Sequence, residues 1–431
     1  MGQAALKRWS VCAFVVVLLF SLIAVSSVPD TADATKHKGN VVLAVHGGAG
    51  GGSIAEDQRE AYQKEVRAAL ETGKKILDSG GSSVDAVEAA VRVLEDSPLF
   101  NAGKGAVFND DAAHELDASI MNGENLEAGA VAGSKHAKNP ITLARTIMEE
   151  SPHVLLSGDS ADWFGMEHGV EMVTQDYYYT QERWDELMRS KEKENDAEAF
   201  GTVGAVASDR SGNLAAATST GGLTNKHRGR IGDSPIVGAG MYANNDSVAV
   251  SATGKGEVFI RGTAAVDISA LVQYKGLPVE EAARTVIEEK LLPLGGTGGV
   301  IALDKNGNFA APYSTERMIY GYVTEDGQYT IVLSPEDEPD DVPPPSATDI
   351  RARVEQFKKE GEFKNSEAAR SLTNLLTVVE RFEERREADK VVKHMENFKS
   401  LLIRQNEDAL ISDKAYNVLY ADAVALIQKW R

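Results

Sequence analysis

The chain has 431 residues, with 65 Asp and Glu against 45 Lys and Arg, a formal net charge of −20 and a single cysteine. That balance excludes nucleic acid and anionic membrane surfaces as partners, because both demand clustered cations. One cysteine excludes a disulfide framework, so stability must come from a packed core, which a chain of this length can build.

Lys7 and Arg8 precede an apolar run over 11–20 that continues to Val25, and small residues follow. This reads as a secretory signal over residues 1–34, with candidate cleavage points after Ser26 and Ala34. The run is shorter than the ~20 residues of a spanning helix, which favours a cleaved leader over an anchor. The expected location is outside the cytoplasm, secreted or associated with the cell envelope. Cys12 lies in the leader, so the mature protein carries no thiol.

Residues 41–45 are a β-branched apolar run ending at His46-Gly47-Gly48-Ala49-Gly50, a buried strand entering a loop. Residues 58–79 place Tyr62, Val66, Ala69, Leu70, Ile76 and Leu77 at helical spacing. A second helix is predicted over 83–94 and a third over 141–149. The polar stretch 189–198 is helix-like. Strands are predicted over 203–207, 214–218 and 248–252, helices over 263–273 and 279–291, and strands over 299–303 and 329–333. Strands grouped at both ends of helix pairs predict an α+β fold with helices packed on two antiparallel sheets.

Composition then changes. Residues 334–347 are acidic and proline-rich and read as a stiff linker after a domain over 37–333. The tail, 348–431, is helical. Leu372, Leu375, Leu376, Val379 and Phe382 form one stripe. Val391, Val392, Met395, Phe398, Leu401 and Leu402 form a second, and Leu419, Ala423, Leu426, Ile427 and Trp430 a third. Breaks at 383–387 and 411–412 predict a small all-α bundle of three helices, flexibly attached.

The chemistry centres on Gly201-Thr202-Val203-Gly204, between the polar stretch and a strand. If the bond before Thr202 is cut, one residue carries both a hydroxyl nucleophile and an α-amine base. Such an amine titrates near ~7.7–8.0, so a usable neutral fraction exists at ordinary pH. Thr218-Ser219-Thr220-Gly221-Gly222 adds hydroxyls at the end of the next strand. Arg230 and Asp233 sit a short turn apart. They either clamp an amino acid's α-carboxylate and α-ammonium, or form an ordinary surface ion pair. Thr253-Gly254-Lys255-Gly256 ends a further strand, where backbone N–H groups can hold an oxyanion or simply make a turn. The glycine run 47–52 lacks the Gly-Lys-Ser/Thr ending of a phosphate loop. His114-Glu115 lacks the second His of a zinc motif. His46 reads as a structural, hydrogen-bonded histidine.

From Val41 to about Leu333 the chain resembles the plant-type L-asparaginases, also called isoaspartyl peptidases, of the N-terminal-nucleophile hydrolases. The strings that carry the resemblance include His46-Gly47-Gly48-Ala49-Gly50, Asn101-Ala102-Gly103-Lys104-Gly105, His114-Glu115-Leu116-Asp117-Ala118, Gly201-Thr202-Val203-Gly204 and Gly232-Asp233-Ser234-Pro235. The resemblance implies an αββα four-layer sandwich and self-cleavage between Gly201 and Thr202. It implies Thr202 as nucleophile, Thr220 as its activating neighbour, and Thr253 and Gly254 as the oxyanion hole. Arg230 would hold the substrate α-carboxylate and Asp233 its α-ammonium, with Gly254 and Gly256 beside the substrate. Asn101 would assist self-processing. Substrates would be L-asparagine and β-aspartyl dipeptides, with no cofactor for the chemistry. A structural sodium ion would sit on the carbonyls of Leu94, Glu95, Ser97, Phe100, Ala102 and Lys104, although Lys104 departs from the apolar residue expected there. Cleaved protomers would pair as an (αβ)₂ homodimer. The tail resembles the FIMAH-type helical domain of secreted bacterial proteins, through Ala388-Asp389-Lys390-Val391-Val392-Lys393 and Ile411-Ser412-Asp413-Lys414. A glycosylasparaginase is the nearest alternative, although Gly221 stands where that branch carries Asn. A non-catalytic secreted binding protein is a remoter one.

Overall fold

A computed structural model describes residues 40–52, 54–192, 201–338 and 345–430. The predicted leader, most of the polar stretch before Gly201 and the middle of the linker lie outside the described residues. Among the described residues, no helix is long and apolar enough to cross a membrane.

The chain order begins β1 (Val41–Gly50), α1 (Glu56–Asp78), α2 (Ser83–Asp96), β2 (Leu116–Asn122), β3 (Ala128–Ser134), α3 (Pro140–Glu150), β4 (Leu155–Ser157), α4 (Gly158–Glu167) and α5 (Gln181–Glu192). It continues with β5 (Val203–Ser208), β6 (Leu214–Thr220), β7 (Met241–Ala243), β8 (Ala249–Gly254), α6 (Gly256–Gly262), α7 (Ala264–Lys275) and α8 (Val279–Arg284). Then come β9 (Gly298–Leu303), β10 (Phe309–Ala310), β11 (Arg317–Thr324) and β12 (Tyr329–Val332). Helices α9 (Ala347–Glu360), α10 (Ser366–Glu384), α11 (Ala388–Glu407) and α12 (Asp413–Trp430) complete it.

Eight strands form one sheet in the order β12-β11-β1-β5-β6-β2-β3-β4, and four form a second, β10-β9-β8-β7. The predicted alternation of apolar residues accounts for the packing. Val66, Leu70, Val87 and Val91 of the first two helices meet Leu43, Val45, Val203 and Ala205 on one face of the large sheet. The other face of that sheet, through Val206 and Leu214, packs against Met241, Ala249, Ile301 and Leu303 of the small sheet. Val250 and Val300, on the far face of the small sheet, pack against Ile268, Ala282 and Ile287. Helix α2 starts sharply because Ser82 and Asp85 form a reciprocal capping box.

The structure departs from expectation in several places, beginning with β2, β3, β4, α4, β7 and β10, which were not predicted. The helix predicted over 263–273 is α7, and a short helix that was not predicted, α6, precedes it, the two meeting at Thr263 in the left-handed region (φ 47°). β11 was not predicted, yet it pairs with β1 over Val41–Gly50 and is almost wholly buried. The tail has four helices rather than three. α9 begins at a Ser346–Asp349 capping box and ends at Gly361 (φ 82°), and Ile350, Val354 and Phe357 bury one face of it. The bundle has its own apolar core. It also touches the preceding domain, since Tyr420 Oη donates to Glu281 Oε1 of α8 at 2.8 Å and Lys399 Nζ pairs with the same oxygen at 3.4 Å.

Candidate active site

Thr202 immediately precedes β5, which lies between β1 and β6. The register Val203↔Ser219 sets Thr202 opposite Thr220, the last residue of β6. Thr202 Oγ1 donates to Thr220 Oγ1 at 3.2 Å, and the Gly222 N–H donates to the same oxygen at 3.0 Å. The Thr220 oxygen therefore accepts twice and leaves its own proton free for a further acceptor. Thr202 is buried.

On the other side, β1 bulges between His46 and Gly48. Gly48 has φ +108°, and a Cβ there would stand 2.7 Å from Gly201 Cα. A Cβ on Gly201 would in turn stand 2.9 Å from Asn101 Cβ. The Gly201–Thr202 bond thus lies between Gly48 and Asn101, with no room for a side chain on either glycine. The Asn101 amide serves the neighbouring loop. Its Nδ2 donates to Gly222 O at 2.7 Å and its Oδ1 accepts from Val107 N at 3.0 Å. Beneath lies a buried polar chain in which His46 Nε2 meets Ser251 Oγ at 2.9 Å and Ser251 Oγ meets Thr218 Oγ1 at 2.6 Å. Burial pushes His46 down to about 3, opposed by the Thr202 backbone, so it is a neutral structural residue as expected.

A cleft opens beside Thr202 and Thr220 and is lined further by Leu223, Arg230, Asp233 and Gly254. Arg230 and Asp233 come together in it, but they do not pair with each other. Arg230 forks onto Glu257, with Nε to Oε1 at 2.9 Å and Nη2 to Oε2 at 3.0 Å. Asp233 is buried and its Oδ2 has no hydrogen-bond partner. Burial pushes its carboxyl up to about 7, with nearby Arg230 opposing and Glu257 and Asp117 reinforcing. A Cβ at Gly256 would stand 2.9 Å from both Arg230 Nη2 and Asp233 Oδ1, so the gap between the two charged groups opens at that glycine. Asp117, buried behind them, accepts from Gly133 N at 2.8 Å, and burial raises its carboxyl.

Thr253 is buried, and its Oγ1 accepts from Ala49 N at 3.2 Å, tying the end of β8 to β1. Gly254 (φ +152°) lines the cleft, and a Cβ there would collide with the Thr297 carbonyl. Its backbone geometry therefore requires glycine. Sequence reasoning missed two residues. Gly48 had a signal in the glycine run that ends the first strand, a place where bulges and close approaches are common. Glu257 had none, because nothing in its spacing from Arg230 points to the fork.

The loop at 94–104 carries the neutral carbonyls named above, the donor chemistry of a weakly held monovalent cation. Leu94, Phe100 and Ala102 carbonyls accept from Ser97, Ala102 and Gly105 N–H groups at 3.3, 2.9 and 3.2 Å, which leaves each a lone pair. Lys104 Nζ lies over the Tyr177 ring at 5.7 Å. The Glu95 side chain is occupied elsewhere, accepting from Ser219 Oγ at 2.6 Å and Ile141 N at 2.9 Å. Among the described residues, no group of three His, Cys, Asp or Glu could hold a metal.

Two adjacent hydroxyls beside the Gly201–Thr202 bond, with an Arg and a buried Asp lining the same cleft, form the constellation of a threonine-type amidohydrolase. Comparison with known proteins agrees. The family model for asparaginase matches residues 39–333, and that for the FIMAH domain matches 347–428. Over 300 residues the chain is 51% identical to the isoaspartyl peptidase of Escherichia coli K12, covering 66% of this chain and 94% of the relative. It is 49% identical over 297 residues to the isoaspartyl peptidase of Salmonella typhimurium (65% and 95%). It is 42% identical over 288 residues to the isoaspartyl peptidase/L-asparaginase of Bos taurus (65% and 92%). The chain belongs to this asparaginase family and carries a C-terminal FIMAH domain.

Proposed function

We propose that this chain is an isoaspartyl peptidase/L-asparaginase, a self-cleaving threonine amidohydrolase acting on L-asparagine and β-aspartyl dipeptides. The observation that carries this is the Thr202 hydroxyl on Thr220, beside a Gly201 flanked by Gly48 and Asn101. In maturation, Thr202 Oγ attacks the Gly201 carbonyl carbon, the C–N bond breaks and an ester forms. Water then hydrolyses the ester, leaving a carboxylate on Gly201 and a free α-amine on Thr202. In turnover that amine takes the Thr202 hydroxyl proton while Oγ attacks the substrate's β-carbonyl. Oxyanion charge falls toward Thr253 and Gly254. Ammonia or an amino acid leaves, and water releases aspartate. Thr220, 3.2 Å from the nucleophile in the uncut chain, orients that hydroxyl, and once the amine takes the proton Thr220 donates its own to the attacking oxygen. Arg230 takes the α-carboxylate and Asp233 the α-ammonium, with Gly256 between them.

The reading carries further expectations. The fold is an αββα sandwich of the N-terminal-nucleophile type, a reading supported by the packing of helices on the outer face of each sheet. Cleaved protomers pair as (αβ)₂, a sodium ion rests on the 94–104 carbonyls, and the leader directs the enzyme out of the cytoplasm. The chemistry calls for no cofactor. A glycosylasparaginase reading is disfavoured at Gly221, where a Cβ would stand 2.6 Å from Asn101 Oδ1 and an Asn has no room. Mass spectrometry should find a subunit starting at Thr202. β-Aspartyl-leucine and asparagine should turn over, while α-aspartyl-leucine is inert. An unprocessed, inactive chain would refute the proposal.

A further inference from the structure

Arg230 is held in place by a fork onto Glu257, a residue with no part in the chemistry above. Its guanidinium has two edges able to fork onto a carboxylate: the side edge, Nε with Nη2, and the end edge, Nη1 with Nη2. Glu257 occupies the side edge with both oxygens, at 2.9 and 3.0 Å. The Arg230 side chain is largely enclosed, with 15% of it exposed, whereas that of Glu257 is half exposed. The end edge faces two residues without side chains. A Cβ at Gly232 would stand 2.9 Å from Arg230 Nη1, and one at Gly256 would stand 2.9 Å from Nη2 and equally close to Asp233 Oδ1. The space kept clear by these two glycines is bounded by the free edge of Arg230 on one side and by Asp233 on the other.

We infer that Glu257 is a positioning residue, which seats Arg230 by its side edge so that its end edge presents to the substrate α-carboxylate, and thereby sets the requirement for a free α-carboxylate on the aspartyl unit. This rests on the functional reading above and adds a residue to it. Glu257 does not touch the reacting atoms. Its loss leaves Arg230 charged but free to swing into solvent, since a long flexible side chain keeps its orientation only through such partners. The loss therefore falls on substrate capture and spares the chemical step.

The test compares processed wild-type enzyme with Glu257→Gln on two probes: β-aspartyl-leucine, and the same dipeptide with the aspartyl α-carboxylate replaced by a carboxamide. Leucine release is followed for both. Completed self-cleavage reports that the variant is folded. For Glu257→Gln, KM for the free-carboxylate substrate should rise roughly 10- to 100-fold with kcat within about threefold of wild type. KM for the carboxamide should be unmoved, so discrimination between the probes collapses by the same factor. An unchanged or lowered KM overturns the inference, the latter showing that Glu257 competes with substrate. An equal loss on both probes overturns it too, because that is the mark of general damage. If Glu257→Gln does not process itself, Glu257→Asp takes its place. Its shorter arm keeps the charge but loses half the fork, and the same selective rise in KM, smaller in size, is expected. Wild-type enzyme inert on both probes would instead refute the functional reading and leave the geometry of Arg230 standing.

Discussion

Asp233→Asn should make the free protein more stable while removing its activity. Asp233 is buried, its Oδ2 is unpartnered, and its carboxyl is pushed from 3.8 up to about 7. Between those values the folded chain holds a proton that the unfolded chain has released. Stability therefore falls as pH rises through that window and stays lower above about 7. Raising a carboxyl from 3.8 to about 7 corresponds to about 4 kcal/mol. Asparagine removes the charge but leaves a buried amide with poor partners, costing ~1–3 kcal/mol. The net gain at pH 8 is then on the order of 2 kcal/mol, a few degrees in melting temperature for a domain of this size. The comparison belongs in a Thr202→Ala background, so that both proteins are single chains. Melting is followed by calorimetry from pH 4 to pH 8. A variant no more stable than its parent at pH 8, or a difference that does not shrink toward pH 4, would refute the assignment of Asp233 as a strained anion.

Thr202→Ala should remain one chain on a denaturing gel, and a subunit starting at position 202 in that variant would contradict the nucleophile. Gly48→Ala meets both a φ of +108° and a Cβ 2.7 Å from Gly201 Cα, so self-cleavage should slow at least roughly tenfold, measured as the rate of subunit appearance. Because Asp233 must be ionised to take an ammonium and is protonated below about 7, kcat/KM of the processed enzyme should fall on the acid side of about 7, steeply for substrates with a free α-amine. Glu281→Ala removes the acceptor shared by Tyr420 and Lys399. This should lower the melting transition of the helical bundle by ~1.5–3 kcal/mol without changing turnover, and an unchanged transition would show that the bundle needs no such anchor.

How far the sequence revealed this site depended on the kind of interaction. Thr202, Thr220, Arg230 and Asp233 were legible because their chemistry is carried by residue type within short motifs; Thr202 and Thr220 also sit at strand ends that adjacent strands align, whereas Arg230 and Asp233 lie in the segment between β6 and β7. The register Val203↔Ser219 that joins the two threonines is short-range and follows from the hairpin of β5 and β6. β11 was not legible. Its eight residues, Arg317–Thr324, sit amid turn residues and far along the chain from β1, and strand propensity is weak without knowledge of the partner. α9 was missed as a separate helix because its boundary is a single glycine, Gly361, inside a continuous helical pattern. Glu257 was unreadable in principle. A carboxylate on the first turn of a short helix is an unremarkable surface charge until the fold brings Arg230 against it.

The electrostatics of the cleft give the enzyme a reason to prefer a zwitterion. Arg230 is neutralised by Glu257, and Asp233 is held close to neutrality by burial, so the empty cleft carries little net charge. A ligand with an ammonium alone must ionise a buried carboxyl without compensation. A ligand with a carboxylate alone must share Arg230 with Glu257. An aspartyl unit with both groups free ionises Asp233 and occupies the open edge of Arg230 at once, and the two new charges face each other across Gly256, where each offsets the desolvation of the other. The two contacts should therefore be coupled. In a double-mutant cycle, Arg230→Gln and Asp233→Asn together should cost less in kcat/KM than the sum of their separate costs, by on the order of 1 kcal/mol or more. Strictly additive costs would show that the cleft reads the two charges independently, and the preference for a zwitterion would then need another source.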